Sequence, residues 1–433
     1  MPLRETLDEL VADHQVRRFP APTPRAVKPA RLPGKADVLV GMRRSGKTYL
    51  LFQELQALER AGVRRERTLL LNFEDERLQP LSSPELHLVT DAFYARNPSL
   101  RDQECWFFLD EIQTVQGWER FVRRLVETEN TRVVVTGSSA KLLAKEIATS
   151  QRGRSLSTEV LPFSFEEALV HAGVAKPWRW PPPARVRSVL EHHLRRYLNR
   201  GGFPEVQGLT DEHRIAVLQE YVDVVLFRDV VERHRVTNTP ALRHLVRRLV
   251  RSPASLFSVH KLHGELKSQG VAISKDDLHA YVGHLEDAFL LFPVPIDAQS
   301  EKRRLVNPRK AYLCDHALAH ALLPPHSADV GHHLENVVYL ALRRRGHRPG
   351  YGVTTTGEEV DFVVRGAQPQ IVQVAASLSD PDVRRRELGA LTEAMAETGV
   401  RSGVVVTLHD DERHRTTAGS IRVVPAWRWL LQE

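Results

Sequence analysis

The chain of 433 residues has room for two or three domains. Its 42% hydrophobic and 27% charged residues exclude wholesale disorder and collagen-like structure. The formal charge of +7 is concentrated in residues 181–310, where 21 Lys and Arg face 15 Asp and Glu, so a polyanion-binding face is expected in the middle of the chain. The two cysteines, Cys105 and Cys314, lie far apart without metal-site spacing, which excludes a disulfide framework and a cysteine zinc site. No apolar run approaches the roughly 18 residues of a membrane span. The start, MPLRETLDELVADHQ, has no apolar segment of the secretory kind, and a cytoplasmic location is expected.

In chain order, residues 1–16 read as an amphipathic helix with Leu3, Leu7, Leu10 and Val11 on one side, and 17–36 as a Pro-rich basic arm. Strand and helix signals then alternate. Strands are expected at 38–40, 68–73, 106–110 and 132–136, with helices at 47–61, 84–96 and 117–129. This alternation predicts a parallel sheet covered on both faces. KPWRWPPPA, 176–184, reads as a linker, and 185–250 as helical. Residues 254–296 read as a winged helix, with helices at 259–268 and 275–289 and an apolar wing strand. The last segment is mixed again, with helices at 334–345 and 381–398 and strands at 359–364, 371–374 and 403–408. The expected division is an arm and ATPase domain at 1–180, a helical lid and winged helix at 181–300, and a third α/β domain at 301–433.

Gly41-Met-Arg-Arg44-Ser45-Gly46-Lys47-Thr48 fits the pattern GxxxxGK[ST], between an apolar strand and a helix. The glycines allow a tight loop whose amides converge on phosphate, and the helix start adds its positive dipole end. Lys47 is placed to reach the β- and γ-phosphates of ATP, and the Thr48 hydroxyl to ligate Mg²⁺. The apolar strand Cys-Trp-Phe-Phe-Leu ends in Asp110 and Glu111. Asp110 is expected to hold Mg²⁺ and Glu111 to polarise the attacking water. The next strand ends in Thr136, Ser138 and Ser139. Ser138 or Thr136 could face the γ-phosphate, or these residues could cap a following helix.

GMRRSGKT, LNFEDERL, FFLDEIQTVQGWE, VVVTGSSAKLL, RGR with LPFSFEEAL, RYLNRGGFPEV, FRDVVERHRV and LHAYVGHLEDAFLLFPV follow one another over most of the chain. In these pieces it resembles a widespread group of prokaryotic AAA+-like P-loop ATPases with a C-terminal domain of uncharacterised function. The resemblance implies Mg²⁺-dependent ATP hydrolysis and a homo-oligomer, with a hexameric ring as one form. It marks Arg154 as a residue that meets ATP from a neighbouring subunit; a structural salt bridge is the other reading.

Residues 331–375 resemble a PD-(D/E)xK nuclease core, with Glu335 on a helix and Asp361 on a strand. Gln373 and Ala375 stand where the pattern has an acid and a lysine, and no neighbouring lysine is a substitute by sequence. The expectation is a retained fold without cutting activity. For DNA, the candidate residues are Arg243, Arg247 and Arg251 on one helical face, then Arg303 and Arg304 in a basic cluster with Lys302, Arg309 and Lys310. The expected function is an ATPase that binds, moves on or remodels DNA, branched DNA included. The alternative is a nucleotide-dependent switch or remodeller of a protein partner, favoured by the acids Asp276, Asp277, Glu286 and Asp287 on the second winged-helix segment.

Overall fold

The computed structural model describes residues 3–139, 155–176, 180–306, 308–322 and 330–432. It divides into two compact units. One is Met1–Leu161 with the short piece Asp287–Phe289. The other is Pro162–Glu286 with Leu290–Glu433.

The first unit is built on five parallel strands: β1 (Ala36–Val40), β2 (Thr68–Asn72), β3 (Cys105–Asp110), β4 (Thr131–Gly137) and β5 (Ser155–Glu159). Their order is β2-β3-β4-β1-β5. The P-loop strand β1 therefore lies between β4 and β5, and β4 separates it from the acid-bearing β3. Apolar residues on successive positions bury both faces of β1, where all five residues are inside. Leu50, Leu51, Leu55 and Leu58 of the helix Lys47–Arg60 pack with Leu39, Phe108 and Val134. The edge strand β2 is covered by the helix Leu3–Val16, which inserts Leu7, Leu10 and Val11 at helical spacing. From the same helix His14 accepts a hydrogen bond from the Leu70 amide and meets the Thr68 hydroxyl at 3.0 Å. The basic arm is ordered too: Phe19 stacks on Phe52 with centroids 4.8 Å apart.

The second unit opens with a capping box, Ser164 with Glu167, at the helix Phe165–His171. Helices Ala184–Arg200, Asp211–Val224 and Thr239–Val250 follow, the second continuing into a π-helical stretch at Val225–Glu232. A three-stranded antiparallel sheet comes next, β6 (Leu256–Phe257), β7 (Leu291–Val294) and β8 (Arg309–Leu313), ordered β6-β8-β7. It brackets the helices Val259–Ser268 and Lys275–Asp287. The C-terminal sheet comprises β9 (Gly350–Val353), β10 (Glu359–Val364), β11 (Gln370–Val374), β12 (Ser402–Thr407), β13 (Glu412–Thr416) and β14 (Gly419–Pro425). Its order is β13-β14-β12-β11-β10-β9. Strands β9, β10 and β11 run antiparallel in series, and β12 lies parallel to β11.

Two expected boundaries differ from this division. The first unit ends at Leu161, well before residue 180, because the segment after it is tied into the second unit. There Phe163 donates its amide to Gly202 and accepts from the Tyr197 hydroxyl. Residue 300 is not a boundary between compact units either. Strand β8 lies beyond it, yet pairs with both β6 and β7. The proposed linker 176–184 falls partly outside the described residues, which omit 177–179.

Candidate active site

The P-loop uses the left-handed region at Arg44 (φ 66°) and at Gly46 (φ 101°), the residue that precedes the helix Lys47–Arg60. At Gly41 close packing demands glycine: a Cβ there would lie 2.2 Å from the Val160 carbonyl oxygen. Buried Arg25, from the arm, donates to the main-chain oxygens of Ser45 at 3.1 Å and of Leu161 at 2.5 Å. It braces the loop from beneath, and no motif in the sequence marks it.

Thr48, Asp110, Thr136 and Glu111 form one hydrogen-bonded chain. The Thr48 hydroxyl donates to one oxygen of Asp110 at 2.8 Å. The Thr136 hydroxyl donates to the other at 2.5 Å and accepts from the Glu111 amide at 2.9 Å. Thr136 of β4 thus bridges Asp110 and Glu111 at the end of β3. Ser138 is fully buried just beyond β4. Glu111 sits in the left-handed region (φ 51°), where the chain leaves β3 for a short helical turn. Its carboxylate lies 3.3 Å from the Lys47 ammonium and accepts from the Gln113 amide.

Burial, then the adjacent Glu111, push the Asp110 carboxyl up to about 6. For Glu111 burial acts in the same upward direction. Lys47, Gln113 and Arg43 outweigh it and hold this carboxyl below its ordinary value. One acid is thus shifted toward the neutral form and its neighbour held ionised. Arg43 is itself anchored to Glu74 at 2.8 Å. Lys47 also donates to the main-chain oxygens of Gly41 and Met42, at 3.1 and 3.3 Å.

These residues fit a nucleotide with its metal ion. The Ser45 hydroxyl is buried without a hydrogen-bond partner, inside the loop whose pattern cradles phosphate. Thr48 and Asp110 supply the hard oxygen donors that Mg²⁺ requires. Arg154 lies outside the described residues, as does the helix expected at 140–147 that the hydroxyl residues Thr136, Ser138 and Ser139 could cap.

The second unit holds the residues expected from the nuclease resemblance. Glu335 on the helix Val330–Arg344 and Asp361 on β10 are both buried, and they converge on Lys310, a residue expected in an exposed basic cluster. Lys310 of β8 donates to Glu335 at 2.8 Å and to Asp361 at 2.9 Å, and lies 2.6 Å from Glu359. Lys310 is therefore not part of an exposed basic cluster, and a lysine does reach the two acids. Strand pairing delivers it: Lys310 lies opposite Val294 on one side and Leu256 on the other. The traceable signal was a lysine followed by Ala-Tyr-Leu-Cys, an apolar run that makes a buried strand. Gln373 accepts from the Asp361 amide at 3.2 Å and donates to buried Glu387 at 2.6 Å. Burial, then Asp361, raise the Glu335 carboxyl above its ordinary value. Of the DNA candidates, Arg243, Arg247, Arg251, Arg303 and Arg304 are all exposed. Among the described residues no helix is long and apolar enough to cross a membrane.

The fold and the loop define an AAA-type P-loop ATPase: the model of the AAA domain family AAA_14 matches residues 34–169. A domain of unknown function, DUF8612, matches residues 191–329, a span that also runs past residue 300. Uncharacterized protein MJ1544 of Methanocaldococcus jannaschii is 34% identical over 415 residues, 92% of this chain and 89% of its own length. An uncharacterized protein of Haemophilus influenzae is 30% identical over 351 residues, 80% of this chain and 83% of its own. The chain belongs to the family of these two proteins. The Walker-type ATPase PABY2304 of Pyrococcus abyssi is similar to 74% of this chain over 95% of its own, with a TM-score of 0.43 and 14% identity.

Proposed function

We propose that this AAA-type ATPase is Mg²⁺-dependent, acts as a homo-oligomer and couples hydrolysis to the binding and remodelling of DNA. The observation that carries the ATP chemistry is the chain of bonds Thr48–Asp110–Thr136–Glu111, with Lys47 beside the last acid. Thr48 and Asp110 would hold the metal ion, which supplies neutralisation of charge on the phosphates. Lys47 exchanges its carbonyl partners for phosphate oxygens. Ionised Glu111 takes a proton from water and, through Gln113, keeps its orientation. Arg154 is proposed to act across a subunit boundary.

The DNA reading is supported by the exposed arginines 243, 247 and 251 of one helix and 303 and 304 of another. The test is the ATPase rate with single-stranded, duplex and four-way DNA, together with particle mass with and without nucleotide. Changing all five arginines to Glu should weaken DNA binding. It should also lower the salt slope of log affinity by about 4. Unchanged affinity would favour the second reading, a remodeller of a protein partner, which the exposed acids Asp276, Asp277 and Glu286 support. The C-terminal module is proposed not to cut. Metal-dependent DNA cleavage that disappears in Asp361→Ala would overturn that.

A further inference from the structure

The Lys310 side chain is 2% exposed, in the central strand of the β6-β8-β7 sheet. An ammonium has three N–H donors. Here three carboxylates surround it, each from a different residue: Glu335, Asp361 and Glu359, at 2.8, 2.9 and 2.6 Å. They come from two elements, the helix Val330–Arg344 and strand β10, while the lysine comes from a third. Three carboxylate oxygens closing on one point make a cation seat, and the cation in it belongs to the chain.

Two of the three carboxylates are held by further donors. The Tyr312 hydroxyl donates to Glu335, and the Val374 amide to the second oxygen of Asp361. Asn336, next to Glu335, exchanges both bonds of its amide with the main chain of Leu313 at the end of β8. The helix and the strand are therefore held in the register that seats the lysine. Lys310 donates two hydrogen bonds, to Glu335 and Asp361, and the Glu359 carboxylate 2.6 Å away closes the third side.

We infer that Lys310 is the resident counter-ion of this carboxylate cluster, a tethered cation that takes the place of a divalent metal ion and lets the C-terminal module fold without one. The same three acids line one side of an open pocket of about 430 Å³ together with Gln373 and Glu387. Removal of the ammonium would leave three carboxylates with solvent access and no counter-charge, and a divalent ion could then enter. This inference goes beyond the ATP site, and its test needs no nucleotide.

The experiment uses the full chain without nucleotide and Mn²⁺ as the probe, read by depletion of the free Mn²⁺ spin-resonance signal and by thermal unfolding. Wild type should bind no Mn²⁺ that Asp361→Asn removes, and EDTA should leave its Tm unchanged. Lys310→Met should unfold about 10 °C lower in EDTA. It should gain one Mn²⁺ per chain and recover most of the lost Tm, and the added change Asp361→Asn should abolish that recovery. Mn²⁺ bound by wild type and lost in Asp361→Asn overturns the inference. So does a folded Lys310→Met that neither loses stability nor gains Mn²⁺. If Lys310→Met cannot be obtained folded, the wild-type and Asp361→Asn measurements decide alone.

Discussion

Lys47 and Lys310 are almost equally buried, with side chains 4% and 2% exposed, but their surroundings suit opposite tasks. Lys47 makes only long contacts, 3.1 to 3.3 Å, two of them to neutral carbonyl oxygens. An ammonium held this loosely can be handed to a phosphate at little cost. Lys310 makes three short contacts, all to carboxylates. Burial pulls its pKa down, but Asp361, Glu335 and Glu359 outweigh that, so it stays protonated and in place. The number and charge of a lysine's partners separate a working cation from a structural one, where burial alone does not.

The largest effect that can break this comparison lies in ATP turnover. Lys47→Ala should weaken nucleotide binding, while Glu111→Gln should keep binding and lower the hydrolysis rate about 100-fold or more. Lys310→Met, compared at a temperature where it is folded, should turn over ATP within about twofold of wild type. If Glu111→Gln hydrolyses ATP at the wild-type rate, the assignment of the general base is wrong.

A pH experiment sharpens the comparison inside the second unit, where buried Asp315 and His316 adjoin. Burial lowers the His316 imidazole to about 4 and raises the Asp315 carboxyl to about 6. A depressed histidine gives stability that is present above its unfolded value near 6.5 and is lost as pH falls toward 4. A raised carboxyl runs the other way, and its penalty at neutral pH disappears as pH falls from 6 toward 3.8. The two nearly cancel in wild type. His316→Gln removes the first, so between pH 6.5 and 4 the variant should gain about 3 kcal/mol relative to wild type. Denaturant titrations at a series of pH values measure it, and a parallel pair of curves would contradict it.

The ATP site was largely legible in the sequence because its parts are compact motifs. Gly41 to Thr48 are contiguous, and Asp110 and Glu111 close one apolar strand. Even there, the hydrogen bonds that tie Thr136 to Asp110 and to the Glu111 amide could be read only from the fold. The lysine cluster was not legible. Lys310 lies 25 residues from Glu335 and 51 from Asp361, and it belongs to a strand whose partners flank it in space rather than in sequence. Beside Arg309, after Lys302, Arg303 and Arg304, it looked like one more surface charge. Alternation decides which of these basic residues turns inward, and alternation can be used only once β8 is recognised as a strand. Gln373 was similarly misleading. It reads as a lost metal ligand, but in the fold its amide joins the main chain of Asp361 to Glu387.

The smallest expected effects come from removing one hydroxyl at each site. Thr136→Val keeps the volume but deletes the donor to Asp110 and the acceptor for the Glu111 amide, both buried. An unsatisfied buried group costs about 1–3 kcal/mol. The loss should appear both as reduced stability and as roughly tenfold slower turnover, since Asp110 and the Glu111 main chain lose their common anchor. Thr136→Ser, which keeps the hydroxyl, should restore the rate. Tyr312→Phe removes the hydroxyl that donates to Glu335 and should cost about the same stability. Turnover should not change, because Lys310 still holds that carboxylate and the cluster belongs to the other compact unit. Both stabilities and both rates can be measured on the same preparations. If Tyr312→Phe slows ATP hydrolysis as much as Thr136→Val does, the two sites are energetically coupled, and the contrast between a working and a structural lysine fails.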